Sequence, residues 1–146
     1  MRRLLALLAV VVAAAPGGGL AHASTGTAAA APQGQRAKGR LHVVLTAQSH
    51  HPKLGHAWTY RVRVTDAKTG KPVACRIHLQ FFFGGAPVGE VGVHRVANGV
   101  WTETIPAKGK DAFPPAAVGQ PLVLHATVTA KGYRTGTAGW KVQVVR

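Results

Sequence analysis

Few side chains in this sequence could do chemistry, and their spacing decides which chemistry is open. The single cysteine, Cys75, is followed closely by Arg76 and His78. A nucleophilic thiolate needs a partly exposed pocket with positive neighbours that stabilise the sulfur anion. Three histidines, His50, His51 and His56, fall within QSHHPKLGHAW. Imidazole suits zinc, copper and nickel, so these three are candidate ligands for copper or zinc. Against that, His-His-x4-His is not a recognised ligand spacing. The carboxylates that orient metal-bound imidazoles are scarce. A polar loop turned by Pro52 and Gly55 accounts for the same residues without a metal. The acids are Asp66, Glu90, Glu103 and Asp111, each in a different segment. No pair is evident for two-carboxylate glycoside hydrolysis. Ser49-His50-His51 is contiguous, and adjacent residues cannot by themselves form a nucleophile, base and orienting group. The glycines sit at turns and form no phosphate-cradling loop. The expectation is a protein that is not an enzyme and carries no cofactor.

The elements that must position these residues follow from apolar period. Trp58 to Thr65 places a large apolar residue at every second position, which marks a half-buried strand. Val73 to Phe81, Leu122 to Val128 and Trp140 to Val144 alternate in the same way. Leu41 to Gln48, Val88 to Val96 and Val100 to Ile105 do so more weakly. Seven short runs separated by Gly, Pro and Asn, without a helical period, predict an all-β sandwich. Asp66 to Pro72 is then the turn between two strands, with Gly70 free to take positive φ and Pro72 fixing φ at the exit. Cys75 shares a face with Val73, Ile77 and Leu79, so its thiol belongs to the core, where free cysteine behaves as a small apolar group. Arg76 and His78 point the other way. One cysteine also excludes an intrachain disulfide.

Upstream of the strands, MRRLLALLAVVVAAAPGGGLAHA has the parts of a secretory signal peptide. Arg2 and Arg3 form a positive start, Leu4 to Ala15 an apolar run, and Ala21-His22-Ala23 a small-residue cleavage site. The apolar run is too short to span a bilayer, which takes about 20 residues. Residues 24–39 have no apolar period and read as a flexible lead-in, leaving one domain over residues 40–146. The expected location is extracellular or in the cell envelope.

Charge is the other broad signal. The chain carries 18 Lys and Arg against four acids, a formal +14; loss of Arg2 and Arg3 with the leader leaves 16 basic residues and +12. Such a surface attracts anionic cell-wall polymer or an anionic membrane surface. Export and the absence of any recognition helix or aromatic RNA-binding signature argue against nucleic acid. The strand alternation turns Arg61, Arg63 and Arg76 outward, making them the candidate contacts for such a polymer.

The run VTDAKTGKPVACRIHL resembles the turn-and-strand segment of bacterial immunoglobulin-like domains, both the invasin and intimin type and related domains of exported actinobacterial proteins. NGVWTETI is similar to a second strand of those domains, and AKGYRTGTAGWKVQVV to their final strand. These pieces cover most of residues 41–146. The resemblance implies an immunoglobulin-like sandwich acting as a spacer, adhesion or binding module, and brings no catalytic residues with it. Exported copper-related domains share the GKPV turn and stand as the alternative, a small metal-binding protein using the loop of residues 50–56. Protein recovered from culture medium should begin at Ser24 by intact mass; a species retaining Met1 to Ala23 would overturn the expected export.

Overall fold

The computed structural model describes residues 39–146. The expected leader, and the expected lead-in up to residue 38, lie outside the described residues. Seven strands form: β1 (Leu41–Ala47), β2 (Trp58–Asp66), β3 (Cys75–Phe83), β4 (Ala86–Val96), β5 (Val100–Ile105), β6 (Pro121–Thr129) and β7 (Gly136–Gln143). A single 3-10 turn at Pro115–Ala117 precedes β6. Each of the seven alternating runs overlaps one of these strands. Gly39, assigned to the lead-in, already belongs to the domain: its N–H bonds the Gly132 carbonyl at 2.9 Å and its carbonyl accepts from Arg134. No helix among the described residues is long and apolar enough to cross a membrane.

The strands make two antiparallel sheets, in the orders β1-β2-β5 and β4-β3-β6-β7. In a constant-type immunoglobulin sandwich the fourth strand lies beside the fifth. Here it stays with the third. The cause is local: Phe83 pairs with Ala86 across Gly84-Gly85, whose φ values are 58° and 86°. Two positive φ angles make the tight two-residue turn that matches strand twist, so β4 folds straight back on β3.

Residues 66–72 do a different job from a hairpin, because β2 and β3 belong to opposite sheets. Asp66 Oδ1 accepts from the backbone N–H groups of Lys68 and Thr69, at 2.9 and 2.7 Å, and from Thr69 Oγ1 at 3.0 Å. Gly70 closes the turn at φ 70°. The backbone bonds from Thr69 and Lys68, with the Tyr133 hydroxyl, hold the Asp66 carboxyl below the usual carboxylate range. The β2–β3 link is therefore a capped turn that carries the chain across the sandwich.

The core lies between the sheets. Trp58, Tyr60, Val62 and Val64 of β2 face Ile77 and Leu79 of β3 and Leu124, Ala126 and Val128 of β6, and all are buried. Cys75 is buried in the same cluster, and burial pushes its thiol pKa up, which leaves it a poor nucleophile near neutral pH. A close backbone approach ties the far end together. The Gly99 carbonyl accepts from Val64 N–H at 2.7 Å, with Gly99 at φ 68°. A Cβ there would collide with the Val64 carbonyl and come within 3.0 Å of Val73 N.

Two substitutions separate backbone strain from crowding. Gly70→Ala meets nothing within 4 Å and should cost only the positive-φ penalty, about 1–2 kcal/mol. Gly99→Ala adds a collision with fixed backbone and should cost roughly 2–4 kcal/mol by thermal or denaturant unfolding. Equal losses would show that Gly99 is not a contact point between the sheets. Cys75→Ser should lower stability by about 1–3 kcal/mol, since a hydroxyl would be buried without an assured partner. Native protein should resist a thiol reagent that labels it readily once unfolded.

Candidate functional site

The basic candidates do not form one patch. Arg61 and Arg63 are exposed on the outer side of β2, opposite Thr102 and Val100 of β5. Arg76 is exposed on the outer side of β3. Because the sheets pack inner face to inner face, the outward sides of β2 and β3 point in opposite directions. Arg76 instead stands directly across from Arg95 of β4, and Lys131 joins them around a shallow groove of about 430 Å³. A groove of about 450 Å³ runs beside Arg61 and Arg63, bordered by Val44, Pro72 and Asn98. Among the described residues no Lys or Arg forms an ion pair; the two ion pairs present use His78 and His94.

The histidine loop is laced to the end of the chain. The His50 ring stacks on Trp140, with centroids 4.1 Å apart. Its Nδ1 donates to the Lys141 carbonyl at 2.7 Å, and its own carbonyl accepts from Gln143 N–H. Leu54 N–H donates to the Val145 carbonyl, and Val145 N–H donates to the Pro52 carbonyl. The indoles of Trp58 and Trp140 both donate to the Ser49 carbonyl. His51 and His56 are exposed. Among the described residues no group of three or more His, Cys, Asp or Glu is arranged to hold a metal ion. His50, His51 and His56 are thus not brought together as a ligand set, because stacking on Trp140 turns His50 toward β7.

A site the sequence reading passed over lies at the open side of the sandwich, between edge strands β4 and β5. Glu103 pairs with Tyr60 across the β2–β5 ladder. The Tyr60 hydroxyl donates a short hydrogen bond to Glu103 Oε2. Trp101 Nε1 donates to the same oxygen at 3.1 Å. His94 reaches in from β4 with Nε2 3.4 Å from Oε2, without hydrogen-bond geometry, and its ring stacks on Trp101 at 4.1 Å. All three groups converge on Oε2, and no described residue donates to Oε1. The Glu103 side chain keeps 31% of its exposure, against 18% for His94. Burial, and then the Glu103 carboxylate, push the Tyr60 phenol far above its ordinary value.

Glu103 lies in the wall of a cleft of about 960 Å³. Phe113 closes one end, packed against Phe81 and Trp58 at centroid distances of 5.5 and 5.7 Å. Asp111 and Glu90 also line this cleft, with Lys110 beside them, but the Glu90 carboxylate lies on the outer face of β3 and β4. Glu90 is held by His78 Nε2 at 2.8 Å and Gln80 Nε2 at 3.0 Å. The signal for this site was in the alternation. Glu103 has the same phase as Trp101 and Ile105, and His94 the same phase as Val96, so each had to point inward with the apolar residues.

No family model matches the chain, and no curated protein matches it. Among solved structures, it is similar to a domain of the outer membrane lipoprotein Omp28 from Porphyromonas gingivalis, with TM-score 0.47 and 10% identity over 73% of this chain and 90% of that one. It is also similar to Spo0M, a sporulation control protein from Bacillus subtilis, with TM-score 0.44 and 12% identity over 73% of this chain and 49% of that one. A β-glucosidase from Listeria innocua matches with TM-score 0.34 and 14% identity over 73% of this chain and 16% of the enzyme. Likeness at this level transfers neither a ligand nor a reaction.

The Tyr60–Glu103 bond has a pH signature. A phenol whose pKa is raised on folding keeps its proton in the folded state after the unfolded chain has lost it. Its contribution is complete below about pH 10 and falls away as pH rises further. Tyr60→Phe should cost about 1.5–3 kcal/mol near neutral pH, the worth of a bond to a charged acceptor. It should also flatten the alkaline decline of the melting temperature. An unchanged alkaline limb would place the titrating group elsewhere.

Proposed function

We propose that this chain is an exported, non-catalytic binding module of immunoglobulin-like type that engages anionic polymer at the cell surface. The observation that carries the reading is the uncompensated Arg76–Arg95 pair. Like charges directly opposite one another on a sheet are destabilising, and no carboxylate among the described residues is paired with either arginine. Arg61 and Arg63, two residues apart on β2, put a second pair of unpaired cations on the other outer face. Guanidinium groups bind phosphate and carboxylate oxygens in a planar, bidentate way, so a polymer bearing such groups would neutralise both faces. Basic groups on opposite faces favour a flexible polyanion over a planar bilayer, which could reach only one face at a time.

Binding of the folded protein to purified anionic wall polymer should fall steeply with salt, since exposed charges are screened over about 8 Å at physiological ionic strength. Arg61→Gln with Arg63→Gln, and Arg76→Gln with Arg95→Gln, should each weaken binding by about tenfold, and the four together by more than either pair. The melting temperature should scarcely move, because surface changes seldom exceed ~0.5 kcal/mol. Loss confined to one pair, together with tight binding to anionic vesicles, would favour a membrane surface instead. No binding to polymer or vesicles at low salt would refute the electrostatic reading.

A further inference from the structure

We infer that the cleft between β4 and β5 is a binding site for a small amphipathic primary amine, with the ammonium group on Glu103 and the apolar body along Phe81, Phe113 and Leu122. This is a different site from the basic faces and takes a ligand of opposite charge. The cleft volume of about 960 Å³ lies at the upper end of the range, roughly 300–1,000 Å³, that small-molecule sites occupy. Its walls carry polar and apolar surface in similar share, the large apolar side chains being Phe81, Phe83, Val88, Phe113 and Leu122. Two of the few large apolar side chains left exposed, Phe83 at 43% and Val88 at 58%, stand on this cleft.

Charge complementarity selects the head group. In a chain of +14 with four acids, Glu103 and Asp111 both line this one cavity. Glu103 is oriented for use: Tyr60 and Trp101 donate to Oε2 and His94 stands beside it. Oε1 is left to accept from a ligand. A protonated amine supplies N–H donors for that oxygen. A polyhydroxylated ligand would leave the Phe81, Phe113 and Leu122 stretch of the wall without an apolar partner. Lys110 and the overall positive charge disfavour a polycation. What remains is a single ammonium on an apolar body.

Calorimetric titration of the full chain with phenylbutylamine, phenylbutanol and phenylbutyrate tests this. The amine should bind at one site, tighter than the alcohol or the carboxylate by about tenfold or more. Glu103→Gln preserves the shape and should abolish the preference for the amine. Val88→Lys places a cation on the exposed wall of the cleft without entering the core, and should weaken amine binding by about tenfold while leaving the melting temperature unchanged. The variant lacking Arg61 and Arg63 should bind the amine as well as the unaltered chain, which separates this site from polymer binding. Equal affinity for amine and alcohol, preference for the carboxylate, no binding at all, or indifference to Val88→Lys would each overturn the proposal.

Discussion

The structure depends on burying one face of each of two sheets against the other, with no helix among the described residues to cover either. Each strand must therefore turn its apolar residues toward the opposite sheet, and a change of phase needs a bulge. β2 obeys this most strictly: Trp58, Tyr60, Val62 and Val64 are all buried while Arg61 and Arg63 between them are exposed. A slip of one residue would drive both guanidinium groups into the core, at a cost no pairing in this acid-poor chain could offset. The same alternation therefore keeps the core dry and holds the cations outside.

The two open sides of the sandwich solve the edge problem differently. Where β1 approaches β7, small residues let the sheets close: a Cβ on Gly136 would press on Val43 at 2.8 Å and on Leu41 at 3.1 Å. Where β4 approaches β5, the sheets stay apart and polar groups occupy the gap. An inward carboxylate is tolerated there because it has donors and keeps partial access to water. The bulge in β4 opposite Leu79 and Gln80 breaks the phase of that strand and turns Glu90 outward while His94 stays inward. Bulges at edges commonly re-aim side chains in this way.

Charge is segregated by the fold. Asp66 caps a turn, Glu103 and Glu90 accept from neighbouring side chains, and Asp111 lines the cleft, so none is paired with a Lys or Arg among the described residues. The outer faces carry Lys and Arg that no carboxylate pairs among the described residues, and the cleft beside β5 holds Glu103 and Asp111. A protein with evenly mixed charges would show neither feature.

Strand number, strand phase and the burial of Cys75 were legible in the sequence, because a period of two is a local property that one buried face imposes on every strand. The capping role of Asp66 was legible for the same reason, being settled within four residues. Partnership was not. The Gly84-Gly85 turn that keeps β4 beside β3, and so sets Arg95 opposite Arg76, acts through register, which links residues 19 positions apart. His50, His51 and His56 are neighbours in the chain, yet stacking on Trp140, 90 residues away, determines where the first of them points. Glu103 carried a readable hint in its phase with Trp101 and Ile105. Only the packing of two sheets could show that Tyr60 and His94 lie beside it and that Asp111 lines its cleft, because those contacts join four separate segments and no local pattern encodes them.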